Sequence, residues 1–211
     1  MTATPLPDRV PMPGDSPFGL RRMRPGDLTT LVEYRSDPRV ARYQSWDTTW
    51  GEAQAKALFE TDQTMTHVTP GQWLQLIVEE QATGAVAGDV AVRFVADQRD
   101  TAEIGITLSP LYQRRGAATA SLSGLLGWLF DELETHRVFA VADERNRAVR
   151  RLLDRLGFRQ EGSLVDATWF KGEWTTSCLY AILRNEWRLT PRSWPGRSRM
   201  SPGRRTWPAP E

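Results

Sequence analysis

Two hundred and eleven residues and 23.9 kDa suit one ordinary domain with tails and leave little room for two. The chain is 40% hydrophobic and 25% charged with a net charge of +1, the balance of a packed globular protein and not of wholesale disorder. No stretch approaches the roughly 18 apolar residues of a membrane span, and the N-terminus lacks the basic start and apolar run of a signal peptide, so a cytoplasmic protein without membrane contact is expected. One cysteine, Cys178, forms no intramolecular disulfide, and two histidines, His67 and His136, make no metal-ligand cluster, so no metal site is expected.

The ends separate from the middle by composition. Residues 1–17 hold five prolines and residues 188–211 five more, with no apolar period to bury. Both are expected to be flexible segments flanking a folded unit at 18–187. Arginine supplies 25 of the 27 basic residues, six of them in 188–211. That tail is +5 and residues 1–17 are −1, so the folded unit is acidic, at −3.

Within that unit, residues 18–23 read as a strand, followed by a Pro25-Gly26-Asp27 turn and a helix capped by Asp27. A second helix is predicted over 51–64, with Ala53, Ala57, Leu58 and Phe59 as its apolar face. Residues 72–80 alternate, Leu74, Leu76 and Val78 against Gln75, Ile77 and Glu79. Val86, Val90, Val92 and Phe94 share one face of the next strand, and Ala102, Ile104, Ile106 and Leu108 one face of the third, an antiparallel meander. The period then changes. Leu122, Leu125, Leu126, Leu129, Phe130 and Leu133 define a helix over 116–133. A short strand at 137–144 and a helix at 146–156, stopped by Gly157, complete a crossover unit. Two last strands join at Lys171-Gly172. The fold class is α+β around a central mixed sheet.

The strongest chemical signal lies between the third meander strand and the long helix. There Gln113-Arg114-Arg115 leads into Gly116-Ala117-Ala118-Thr119. Small side chains at a helix start let backbone amides approach an anion, and the helix dipole favours phosphate. An ordinary tight turn into a helix is the plain alternative. No Lys-Ser or Lys-Thr follows the glycine and no G-x-G-x-x-G follows a strand, which disfavours ATP and NAD.

Residues 113–118 resemble the Q/R-x-x-G-x-G/A loop of the GNAT superfamily of N-acetyltransferases. The run from Asn146 to Phe158 is similar to that family's N-x-x-S-x-x-x-L-x-x-x-G-F segment in the ribosomal-protein N-terminal acetyltransferase branch. Ala102-Glu103-Ile104-Gly105 and Trp169-Phe170-Lys171-Gly172-Glu173-Trp174 also resemble that branch. The resemblance spans about 18–187. It implies a mostly antiparallel sheet with helices on its flanks, whose fourth and fifth strands splay apart to take the pantetheine arm of acetyl-CoA. Thr107 and Leu108 would make backbone contacts with that arm, and Asn146 would reach it. The amides of 114–119 would hold the pyrophosphate, with Gln113 beside them. Asn146 also reads as a helix N-cap.

Direct attack of an amine on a thioester needs a base for the ammonium proton, polarisation of the carbonyl and a proton for the departing thiol. Glu103 is the first candidate base, acting through a water; its plain alternative is a solvent-facing strand residue. Asp89 is the second. Where the branch carries Ser, this chain has Val149, and where other branches carry Tyr, it has Leu153. Neither donates a proton, which leaves Tyr112, Ser121 or solvent. The resemblance implies that Trp46, Trp50, Trp169 and Trp174, with Glu161, Asp166 and Glu173, flank the acceptor cleft, and an aromatic, acidic cleft would suit a cationic amine such as an aminosugar or polyamine. The block from Trp169 to Trp174 is similar to a branch assigned to small-molecule or aminoglycoside amines. A protein N-terminus is the enzymatic alternative, and a non-catalytic acyl-CoA-binding module the other class. Nucleic-acid binding rests only on the Arg-rich tail with Trp194 and Trp207 and is not favoured. A homodimer is common among similar enzymes.

Overall fold

The computed structural model describes residues 5–98 and 100–189; the expectation for the 188–211 tail falls almost wholly outside them. Eight strands form one sheet: β1 (Arg9–Val10), β2 (Phe18–Arg22), β3 (Leu74–Glu80), β4 (Val86–Phe94), β5 (Thr101–Leu108), β6 (Arg137–Asp143), β7 (Arg159–Phe170) and β8 (Glu173–Leu183). Their order is β1-β2-β3-β4-β5-β6-β8-β7, and every neighbouring pair is antiparallel except β5 and β6. The helices are α1 (Leu28–Arg35), α2 (Pro38–Ala41), α3 (Glu52–Thr64), α4 (Ala117–Gly127), α5 (Arg147–Arg155) and α6 (Arg184–Leu189). The β5–α4–β6 crossover supplies the single parallel pairing, as a connection through a helix requires.

Two apolar clusters, one on each face, hold the layers together. The larger joins Leu76, Val78, Val90 and Val92 of the sheet to Leu122, Leu125, Leu126, Leu129 and Phe130 of the α4 region and to Leu152, Leu153 and Leu156 around α5. The smaller gathers Met23, Leu31, Tyr34, Val40 and Ile77 under α1 and α2. The long apolar helix thus sits where its period places it, except that its last part, Trp128–Glu132, widens into a π-turn before Leu133.

Several expectations change. Residues 5–17 are not a free segment: β1 pairs with β2, Val10 is buried, the Leu6 amide donates to the Thr66 carbonyl (3.0 Å), and Met12 packs against Gly124 of α4. Asp27 does not cap α1; its carboxylate grips the buried Arg21 guanidinium (2.7 Å to both Nη atoms) and the Arg24 amide. On α3 the buried side chains are Ala55 and Asp62, with Leu58 and Phe59 only flanking the small cluster. Val86 leaves the face of Val90, Val92 and Phe94, because a bulge opposite Val78 and Glu79 shifts the register and turns Ala87 into the large core instead.

Candidate active site

The site is built by a parting of strands. β5 is paired with β4 along its length, from Phe94↔Ala102 to Gly88↔Leu108. It is paired with β6 only at Thr101↔Arg137, Ala102↔Val138 and Glu103↔Phe139. Beyond Glu103 the two strands diverge, and one edge of β5 has no strand beside it. Successive peptide groups of a strand point to opposite edges, so parity decides which residues serve that edge. The Thr107 carbonyl faces β4, where it lies 2.2 Å from the position a Cβ on Gly88 would take, and the Ser109 amide donates to Ala87 (3.0 Å). The open edge is therefore presented by Ile106 and Leu108. Their carbonyls accept from Gln44 Nε2 (3.4 Å) and Gln113 Nε2 (3.3 Å). This corrects the expectation for Thr107, whose backbone is turned away, and adds Ile106, which sequence reasoning missed for want of a register.

At the end of β5 the chain turns into α4 through two left-handed residues, Arg114 (φ 59°) and Gly116 (φ 83°). The first helical bond closes from the Ala120 amide to the Gly116 carbonyl (3.0 Å). The amides of Gly116, Ala117, Ala118 and Thr119 thus stand ahead of the helical ladder, free to face an anion. A Cβ on Gly116 would meet nothing within 4 Å, so glycine serves the backbone conformation and not a tight space. Gln113, Arg114 and Arg115 are exposed around this turn, with Arg115 over the Tyr112 ring at 5.6 Å. Arg155 of α5 reaches the Thr119 hydroxyl (3.4 Å) and brings a further cation to the same lip. Amide cradle, flanking arginines and open strand edge together fit a diphosphate on an extended, amide-bearing arm.

Asn146 caps α5, its Oδ1 accepting from the Val149 amide (3.3 Å). Val149 is half-buried and Leu153 buried. Ser121 is fully buried, and its hydroxyl has no partner among the described residues. Tyr112 leans its hydroxyl to Glu80 (3.5 Å), and burial together with that carboxylate raises its pKa, which makes it a poorer proton donor. Cys178 lies in the core beside the Ser163 hydroxyl.

The two candidate bases sit on one face of the sheet, the face covered by α1. Glu103 is ion-paired with Arg93 directly across from it on β4, and Arg93 stacks on Trp73 (4.8 Å). Asp89 is fully engaged: it accepts from Tyr34, from Gln75 and from Arg35 (2.8 Å), all buried. It pins α1 to β4 and has no lone pair left for a substrate proton.

The expected aromatic, acidic cleft is not what these residues form. Trp46 and Trp50 close over the protein's own Arg35, at 4.4 and 4.8 Å. Glu161 lies at the far end of the sheet between Arg137 and Arg159. Asp166 stands exposed in a β7 bulge. Glu173 pairs with Arg145 (2.7 Å), which also grips Asp143. Trp169 and Trp174 meet edge to face at 5.3 Å on the hairpin and are about 60% exposed. The hairpin tip is tethered by Lys171, which donates to the carbonyls of Ala41 (2.6 Å) and Trp46 (2.5 Å). Where the end of α2 meets the β6–α5 turn lies a cavity of about 510 Å³ lined by Arg42, Tyr43, Glu144, Arg145, Arg147 and Arg150.

A sheet that splays beside an amide-rich helix start offers an open strand edge next to an anion site. Residues 18–159 match the acetyltransferase (GNAT) domain, and the chain belongs to that family. It is an acetyl-CoA-dependent acetyltransferase. It is 26% identical to the uncharacterized N-acetyltransferase p20 of Bacillus licheniformis over 168 residues, 80% of this chain and 93% of that one. It is 24% identical to the spermidine N(1)-acetyltransferase of Escherichia coli over 192 residues, 90% and 98% of the two chains. Its fold matches that of Mycobacterium smegmatis RimJ in complex with CoA-disulfide, with a TM-score of 0.74 at 23% identity, covering 88% and 90%.

Proposed function

We propose that this chain acetylates a primary amine on a small molecule by direct attack, with no covalent enzyme intermediate. The observation that carries the reading is the parting of β5 from β6 next to the amide cradle of α4, which leaves the Ile106 and Leu108 edge open. Acetyl-CoA, when bound, supplies a thioester carbonyl open to attack. The amides of 116–119 would hold its diphosphate, with Gln113, Arg114 and Arg115 at the rim, and the backbone of Leu108 and Ile106 would be the strand edge offered to its arm. Asn146 contributes from the α5 cap. Glu103 takes the ammonium proton through water, since it lies about 10 Å along the strand from Ile106. Val149 and Leu153 return no proton, so solvent does. The small-molecule reading is supported by the full-length likeness to a spermidine acetyltransferase. A protein N-terminus is the second reading, supported by the branch that the segment from Asn146 to Phe158 resembles.

Free-thiol release from acetyl-CoA against a panel of aminosugars, polyamines, amino acids and N-terminal peptides tests this. Turnover with a small amine supports it; turnover with peptides alone selects the second reading, and donor binding without thiol release with any amine leaves a binding module. Glu103→Gln should lower kcat by about 10²–10⁴-fold with donor affinity kept. An unchanged pH–rate profile removes Glu103 from the role.

A further inference from the structure

The cavity at the end of β6 differs from the rest of the molecule in charge. The folded unit is net acidic, yet four of the six residues lining this space are arginines and one, Glu144, is acidic. Arg145 is held by two carboxylates, Asp143 (2.6 Å) and Glu173 (2.7 Å), and Asp143 also feels the charge of Arg42. Arg150 is fixed by neutral partners, the Tyr180 hydroxyl (3.0 Å) and the Glu144 carbonyl (2.9 Å), so its charge stays in the cavity. Arg42 lies on the Tyr43 ring at 5.2 Å, and Arg147, exposed at the start of α5, has no carboxylate partner among the described residues. With Asp143 and Glu173 both counted beside Glu144, four guanidiniums stand against three carboxylates, and the excess positive charge falls to Arg147 and Arg150, which have no carboxylate partner among the described residues. Such a concave site repels a polycation and concentrates an anion, and guanidinium planes suit carboxylate or phosphate oxygens.

Position ties the cavity to the reaction. Arg42 and Tyr43 line it, and the next residue, Gln44, reaches the Ile106 carbonyl on the open edge of β5. The Tyr43 hydroxyl also leans on the Arg145 carbonyl (3.4 Å), which links the two walls. The wall made by Arg42 and Tyr43 follows α2, whose Val40 packs in the cluster on the face opposite α4. No residue of the 113–119 cradle lines the space.

Resting on the acetyltransferase reading above, we infer that this cavity selects an acceptor carrying an anionic group, a carboxylate or phosphate, at the end remote from its amine. Arg42 and Arg147 are the residues that hold the anion. The acceptor class is then an amino acid or other zwitterionic amine, in contrast to the polyamine of the Escherichia coli relative.

A matched series separates charge from shape: 4-aminobutanoate, its amide and 1,4-diaminobutane, with O-phosphoethanolamine to distinguish phosphate from carboxylate. The full chain should show kcat/KM at least tenfold higher for one of the two anionic amines than for the amide, and the diamine should be poorest. In the Arg42→Gln/Arg147→Gln double variant, the ratio of kcat/KM for the preferred anionic amine to that for 1,4-diaminobutane should fall at least tenfold. Calorimetric binding of 4-acetamidobutanoate and of O-phosphoethanolamine to the chain with coenzyme A reads the cavity without turnover, so it stands even if no amine releases thiol. Binding of either anion that the double variant loses supports the inference. A preference for the diamine, equal anion binding by both proteins, or a loss of coenzyme A affinity in the double variant overturns it, the last by giving the cavity to the donor.

Discussion

Gly116 holds φ at 83° with open space where a side chain would go, so a substitution there meets no clash and is opposed by the backbone alone. Gly116→Val should cost about 1–2 kcal/mol in a urea titration, or relax the turn and scatter the amides of 116–119. Donor KM should rise at least tenfold with acceptor KM unchanged; an unchanged donor KM would remove the cradle from its role. Gly88 is the opposite case. A Cβ there falls 2.2 Å from the Thr107 carbonyl and 2.8 Å from Leu108 Cα, both on the backbone of the strand that bounds the cleft. Gly88→Ala should destabilise the fold by several kcal/mol, because neither strand can yield without breaking the pairing. The two glycines also differ in legibility. Gly116 announces itself between a strand and a run of small residues, whereas Gly88 sits in an alternating run where only the partner strand reveals a bulge. A glycine inside a strand pattern was the available signal, and the bulge it marks is what moved Val86 to the other face.

At the scale of elements, helix and strand identities followed from local periodicity, but what joins them did not. Asp89 reads as a polar strand residue, a candidate base; its contacts make it the bolt between β4 and α1, through Tyr34 and Arg35. Asp89→Leu leaves the Arg35 guanidinium buried without a counter-charge. That should destabilise the fold by about 3–5 kcal/mol in chemical denaturation, with the loss falling on stability before chemistry. The N-terminal strap is a second such case. Prolines suggested a loose segment, yet Val10 is 3% exposed in the large core, one residue among many prolines doing what composition cannot express. Val10→Ala should cost about 2 kcal/mol, and a wild-type midpoint would mean that the strap does not pack. The open edge of β5 was legible only as a resemblance. Which residues serve it depends on pairing parity, and the wall opposite, Arg42 to Gln44, carries no motif at all.

Over the whole molecule, charge is arranged in local ion pairs that no net figure conveys. Glu161 was read as part of an acidic cleft; its carboxylate instead sits between Arg137 and Arg159, and Arg159 continues to Glu186 at α6. The hydrogen bond from Arg137 dominates and holds the Glu161 pKa at about 2, far below its ordinary value of 4.5. The folded chain therefore binds fewer protons at Glu161 than the unfolded chain between those two values. The stabilisation is complete above about pH 4.5 and is lost as pH falls toward 2. Because the site is largely exposed, the contribution is about 1 kcal/mol or less. Urea midpoints measured from pH 6 to pH 2.5 should fall for the wild-type chain, and Glu161→Gln should flatten part of that slope while losing stability at pH 6. Since the pairs lie at the closed end of the sheet, remote from the cavity of Arg42 and Arg147, this variant should leave acceptor preference untouched. A shift in preference would mean that the two ends of the sheet are coupled, and that the parting of β5 and β6 is set by more than local pairing.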